Sequence, residues 1–327
     1  MEITKEDRIL ITGGYGFLGR FTFIDLVKNG YNNVFQYGGK KDGWDLGESA
    51  HVGWLFEDVR PDVVIHLAEK NGDTAAYYPG GVMFENLNMS IRVIEEARQY
   101  DVKKFITVAN YNCYPHACPI PVREEDLWNG YPTPSNSCHA VAKRTFFEMT
   151  EAYDKQFDTF NAVNLILADL YGPDDHFHSG ALKFISSLLV KINYFIENNI
   201  TLSLEGRASA VRDFLFVRDA AKALRLSMEE CNNSFPINIG SGESYTIYEV
   251  VEMCCNIMEY RREISWRESS IDGPLQRFLD TNKAEQEIGF KAETSLHEGL
   301  TKTISWVKDN LSSIRTYAPD QAPPRRR

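Results

Sequence analysis

Arg8-Ile9-Leu10-Ile11-Thr12-Gly13-Gly14-Tyr15-Gly16-Phe17-Leu18-Gly19 is the stretch on which the reading of this chain turns. Ile9 to Ile11 is a short apolar run of the length and type of a buried strand. It breaks into glycines at 13, 16 and 19, and a helix is expected over about 18–28, closed by Asn29-Gly30. Three spaced glycines mean little alone. Between a strand and a helix they permit a tight turn and let the backbone approach a pyrophosphate, and the helix N-terminus supplies N–H donors. The stretch predicts a dinucleotide site that includes Gly13, Tyr15, Gly16, Phe17, Leu18 and Gly19.

Working outward, further strands are expected over 33–37, 62–68, 104–110 and 161–167, with helices over about 83–100 and 137–157. Strands alternating with helices imply an α/β fold with a doubly wound parallel sheet, a Rossmann domain over 1–172. A segment of about 212–240 is expected to return to it. After Tyr171-Gly172-Pro173 the alternation stops, and helices near 181–193, 217–231, 247–258 and 296–311 suggest a smaller mixed C-terminal lobe over 173–315. Residues 316–327, rich in Pro and Arg, read as a disordered tail. Where an NAD-selective site usually carries an acidic residue, at the end of the second strand, this chain has Lys40 and Lys41. NADP is therefore favoured over NAD. Asp45, Leu67, Ala68 and Asn86 complete the expected cofactor set.

Composition excludes other classes. With 35 basic and 46 acidic residues the net charge is −11, a field that repels nucleic acid. No apolar run reaches the roughly 18–20 residues of a membrane-spanning helix, and no signal-peptide pattern opens the chain. The 6 cysteines form no paired Cys-x-x-Cys motif, so free thiols, a cytoplasmic location and no structural zinc are expected. Asp174, Asp175, His176 and His178 look metal-like but have no further ligands nearby in sequence, so no metal is expected. His66, after an apolar strand, reads as a core residue. The absence of Gly-x-Ser-x-Gly removes support for a hydrolase.

Several later blocks change the resolution of the reading. They are Asn110-Tyr-Asn-Cys-Tyr-Pro115, Asn129-Gly-Tyr-Pro-Thr-Pro-Ser-Asn136, His139-Ala-Val-Ala-Lys143, Asp169-Leu-Tyr-Gly-Pro173, Val211-Arg-Asp-Phe-Leu215 and Asn238-Ile-Gly-Ser-Gly242. In order and spacing, residues 8 to 310 resemble the extended short-chain dehydrogenase/reductases that act on nucleotide sugars, nearest to their GDP-sugar epimerase/reductases. The resemblance implies NADP or NAD as cofactor, a GDP-sugar between the lobes, and a homodimer packed through the helices near 83–100 and 137–157. It implies a catalytic set of Ser or Thr, Tyr and Lys, with the Tyr and Lys four residues apart on one helical face. Here those positions hold Asn110, His139 and Lys143. The family's epimerisation Cys and His fall on Asn112 and Lys183, with Cys113 and His178 adjacent but off register. Asp169 replaces an Asn. On the substrate side the resemblance places Asn112, Asp169, His178, Lys183, Lys191, Arg212 and Arg277.

The replaced positions leave two readings. The Lys143 ammonium disfavours a charged imidazole beside it. A neutral His139 would serve as a base when a sugar hydroxyl is oxidised, with Asn110 donating to the substrate oxygen. That is an oxidoreductase or epimerase with a His-Lys pair. The other reading is a family member that binds dinucleotide or nucleotide sugar without turnover.

Overall fold

Ile9, Leu10 and Ile11 have no solvent exposure, and the strand they build, β1 (Ile9–Thr12), runs through the middle of a parallel sheet. The structure, a computed structural model, describes residues 2–38, 45–70, 78–177, 183–267 and 274–314. The other strands of this sheet are β2 (Val34–Tyr37), β3 (Val63–His66), β4 (Lys104–Asn110), β5 (Ala162–Leu167) and a late strand, β10 (Ile237–Ile239). Their order is β10-β5-β4-β3-β1-β2, with every pairing parallel. The chain therefore steps from β1 to β2 on one side, then returns to place β3 on the other. The expected doubly wound sheet is present, and the segment returning to it supplies β10.

Helices cover both faces. α1 (Phe17–Lys28) and α6 (Val217–Glu230) lie with β1, β4 and β5 in one apolar core that includes Leu26, Ile106, Leu165 and Leu224. α2 (Ser49–Val59) and α3 (Pro79–Gln99) bury Val52, Phe56, Val93 and Ile94 against the other face, beside α4 (Ser137–Gln156). α2 was not expected from the sequence. Its apolar positions Val52, Leu55, Phe56 and Val59 follow helical spacing, but Gly53 and an uncapped Glu48 weaken the local signal. α3 begins at Pro79, earlier than expected, because Pro fits the first helical turn.

After β6 (Asp169–Tyr171) the chain builds a second core. α5 (Phe184–Glu197), β7 (Leu202–Glu205), β8 (Val211–Arg212) and β9 (Phe214–Phe216) precede α6; β11 (Tyr245–Thr246), α7 (Ile247–Ile257), β12 (Ile264–Arg267), β13 (Gln276–Arg277), α8 (Asn282–Ile288) and α9 (Leu296–Asp309) follow β10. Leu189, Phe195, Phe216, Val251 and Leu300 meet in this core. α5 runs later than expected, since its last turn buries Phe195 there. No helix among the described residues is long and apolar enough to cross a membrane. The tail 316–327 lies outside the described residues.

The returning segment is tied to the sheet by an unusual buried cation. Lys104 at the start of β4 is 1% exposed and donates to the carbonyls of Met228 (2.8 Å) and Cys231 (2.6 Å). It thus satisfies the orphan carbonyls at the C-terminus of α6, where positive charge is also favoured by the helix dipole. Lys104→Met keeps the apolar stem and removes the donors. It should lower the free energy of unfolding by roughly 2 kcal/mol or more, read as a shifted denaturant midpoint at constant slope; an unchanged midpoint would refute this role.

Candidate active site

The sheet changes direction of winding between β1 and β3, and a crevice opens beyond the carboxyl ends of such strands. A cleft of about 730 Å³ lies there. The glycine turn forms its floor. Gly13 has φ +69°, and a Cβ on it would come 2.7 Å from the Ala68 nitrogen. A Cβ on Gly19 would come 2.3 Å from the Gly13 carbonyl oxygen. The turn, the end of β3 and α1 thus meet backbone to backbone. The N-cap of α1 is Gly16, which has no side chain to occupy the first helical N–H groups. Tyr15, Phe17, Leu18, Asp45, Leu67 and Ala68 line the cleft beside the glycines. Lys40 lies outside the described residues. Asn86 stands behind the wall: its amide accepts from Lys70 N–H (2.8 Å) and donates to Lys70 carbonyl (3.1 Å). It fixes the chain that leaves β3 and does not line the cleft.

That chain carries the residue that the sequence reading missed. Glu69 lines the cleft. Its Oε1 accepts from His139 Nε2 at 2.5 Å, and its Oε2 pairs with Lys143 Nζ at 2.7 Å. His139 and Lys143 sit one turn apart on α4, as the spacing predicts, and both are buried. The Glu69 side chain is 22% exposed, against 9% for His139 and 5% for Lys143. The cleft therefore meets the carboxylate first, with the cation and the ring behind it. Burial alone would raise the Glu69 carboxyl, but the Lys143 ammonium and the hydrogen bond from His139 outweigh it and hold the group well below the usual carboxylate range. An ionised carboxylate is acceptor-only, so the proton in the short bond belongs to His139 Nε2. The expectation that Lys143 acts directly on the ring is corrected here: a carboxylate bridges the two. The missed signal was a charged residue directly after an apolar strand at the switch point.

His66 is the core residue expected. It bridges Thr12 Oγ1 (2.7 Å) and Ser90 Oγ (2.8 Å), and burial, with help from the Lys143 ammonium, pushes it down to about 3. Asn110 lines the cleft at the end of β4. Its Oδ1 accepts from Asn112 N–H at 3.0 Å, which directs the Nδ2 group to serve as donor elsewhere. Asn112 Oδ1 in turn accepts from Arg277, whose guanidinium lies 4.4 Å from the Tyr111 ring centroid. Cys113 is buried, and that burial pushes its thiol up to about 12. Lys183 reaches the cleft with its ammonium 5.3 Å from the Phe17 ring centroid. His178 lies outside the described residues. No cluster of three or more His, Cys, Asp or Glu residues that could hold a metal occurs among the described residues.

A second cavity of about 350 Å³ opens in the C-terminal lobe, lined by Lys191, Arg212 and Trp266 among others, and Asp169 lines both cavities. Arg212 and Arg277 are register partners on β8 and β13. Neither has an ion pair among the described residues, and burial together with Arg277 pushes Arg212 down. Two adjacent guanidiniums with no ion pair among the described residues suit an anion.

Next to Arg212 in the chain lies Asp213. Its Oδ1 accepts from Ser241 N–H (3.0 Å) and Oγ–H (2.6 Å), while Oδ2 is buried without a partner. Burial pushes its carboxyl up to about 6. A folded-state value above the unfolded one gives stability that is present at low pH and lost as pH rises through the folded value. The window is about pH 4 to 6, and the size about 3 kcal/mol. Asp213→Asn keeps the Oδ1 acceptor and should remove this pH dependence while raising Tm at pH 7. Parallel pH profiles for both proteins would count against it.

Residues 9–240 match the NAD dependent epimerase/dehydratase family. The chain belongs to that family. Its members are enzymes that use a nicotinamide dinucleotide, and the close-packed glycine turn, the uncapped N-terminus of α1 and the volume of the cleft fit such a group. The chain is 29% identical to a probable GDP-L-fucose synthase 1 of Oryza sativa subsp. japonica, over 95% of each. A GDP-L-fucose synthetase from Naegleria fowleri, solved with NADP, shares the fold with a TM-score of 0.86 at 24% identity, over 97% of each chain. A GDP-mannoheptose C4 reductase from Campylobacter jejuni, also with NADP, has a TM-score of 0.83 at 24% identity, covering 94% of this chain and 99% of its own.

Proposed function

We propose that this protein is an NAD(P)-dependent oxidoreductase of a GDP-linked sugar, moving a hydride at one sugar carbon without epimerising its neighbours. The observation that carries the reading is the Glu69–His139–Lys143 cluster at the wall of the cleft. The glycine turn and the N-terminus of α1 hold the pyrophosphate of the dinucleotide, which when bound supplies or accepts the hydride. NADP is preferred on the strength of Lys40. The second cavity takes the sugar's nucleotide, with Lys191 and Arg212 of its wall, and Arg277 paired beside Arg212, on its phosphates, and the sugar extends past Asp169 toward Asn110. Asn110 Nδ2 donates to the reacting oxygen.

The His139 Nε2 proton sits directly behind the carboxylate that lines the cleft. At 2.5 Å from Glu69 Oε1, the imidazolium form of His139 passes this proton through the carboxylate to a developing alkoxide during ketone reduction and is left a neutral imidazole. Alcohol oxidation runs the same path backward. Lys143 stabilises the carboxylate throughout. Epimerisation needs a group that removes a proton from carbon. Asn112 is not one, and its amide is held by Arg277. The Cys113 thiol is buried and kept protonated.

Burial of both His139 and Lys143 behind Glu69 also supports the second reading, a binding protein without turnover. For assembly, Phe84 and Ile91, 67% and 41% exposed, lie two turns apart on one face of α3 and support a homodimer through α3 and α4. All 6 cysteines are free thiols, which supports the cytoplasm.

The test incubates the chain with NADPH and GDP-4-keto-6-deoxymannose in heavy water. The expected product is reduced by one hydride equivalent, with no carbon-bound deuterium beyond the enzyme-free control. His139→Phe should slow this by about 100-fold or more while dinucleotide affinity stays within about twofold. Carbon-bound deuterium would restore epimerisation. Bound dinucleotide with no turnover of this or other GDP-sugars would leave the binding reading.

A further inference from the structure

The charge order at the far end of the cleft has a consequence for the cofactor itself, resting on the dinucleotide reading above. In that reading the glycine turn takes the phosphates, and Gly38 and Asp45 line the side next to β2. The other end runs toward Asn110, Ala168 and Asp169, where the second cavity opens. The hydride-carrying ring belongs at this end, beside Glu69. The groups that face this point come from several elements. Glu69 follows β3, and Asp169 opens β6 where the second cavity begins; His139 and Lys143 lie on α4. His66 on β3 is neutral, and Cys113 after β4 is a neutral thiol. Lys70 is drawn away to Glu85 at 3.0 Å, and Lys183 stands over Phe17, at the phosphate side.

The ammonium of Lys143 is thus screened from the cleft, and a carboxylate takes its place on the wall. We propose that Glu69 sets the oxidation-state preference of the bound dinucleotide: its carboxylate, set in front of Lys143, favours the cationic oxidised nicotinamide over the neutral reduced one. An oxidised ring carries one more positive charge than a reduced ring, so a wall carboxylate acts on the difference between the two states alone. Binding of the rest of the dinucleotide cancels in the ratio. Preferential binding of the oxidised form makes the bound reduced form a stronger hydride donor, in keeping with ketone reduction.

The experiment measures dissociation constants of NADP+ and NADPH for the full chain, for Glu69→Gln and for Glu69→Gln with Lys143→Met, in one buffer by calorimetry. The quantity read is the reduced-over-oxidised ratio of dissociation constants. It should fall about tenfold in Glu69→Gln, the order of one unit charge acting through a partly solvated wall. In the double variant it should still fall, by a smaller factor. Glu69→Gln leaves Lys143 buried and unpaired; should that variant not fold, the double variant, with neither charge, decides the matter. A ratio within about twofold of the parent in the variants that fold, with binding retained, overturns the proposal alone. A parent chain that binds neither form overturns the dinucleotide reading and this proposal with it.

Discussion

The contact on which the site depends is one carboxylate shared between a buried ammonium and a buried imidazole. Glu69 joins the loop after β3 to helix α4, 70 residues away in sequence. The Lys143 ammonium alone at that depth would be costly. With Glu69 it forms an ion pair whose opposite charges offset much of the desolvation, and the ring of His139 hydrogen-bonds to the same carboxylate. Removing Glu69 strands a buried ammonium, whereas removing both charges does not. The cluster is therefore a coupled unit rather than three separable residues.

The rest of the fold brings this contact about. The position of Glu69 follows from the end of β3, and β3 is held against β1 in parallel register. Gly13 allows the turn after β1 to touch the backbone of Leu67 and Ala68, which leaves no slack before Glu69. Asn86 of α3 grips the residue after it from both sides. On the other side, α4 is packed on the sheet, with Phe147 in the core it shares with β4 and β5. Two rigid elements thus bring the carboxylate and its partners within hydrogen-bonding distance, which is the condition for a fixed proton position.

Much of the architecture was legible because it is written in local pattern. Buried strands are continuous apolar runs, and the glycines mark the one place where backbone must approach backbone. The parallel sheet, α1 and α4 all follow from such signals. α2 was illegible because Gly53 and the missing cap weaken its local preference; packing of Val52 and Phe56 on the sheet supplies what propensity lacks. α5 ends later than its pattern suggests because a tertiary contact, Phe195 in the second core, decides where it ends. In the site, the spacing of His139 and Lys143 predicted their shared face. Their relation to the cleft was not predictable, since it is set by a residue from a distant strand. Asn86 shows the same limit: a polar residue near the cofactor in sequence pattern serves the backbone behind the wall.

The central claim is that Glu69 is ionised and holds a proton on His139 Nε2. A long-range 15N–1H correlation spectrum of the imidazole nitrogens, taken on the full chain at neutral pH, reads this directly. The account predicts that His139 Nε2 is protonated, with a downfield proton resonance that marks a short hydrogen bond, and that Glu69→Gln abolishes that resonance. A ring protonated at Nδ1 alone, or one whose nitrogens average freely between tautomers, would contradict it.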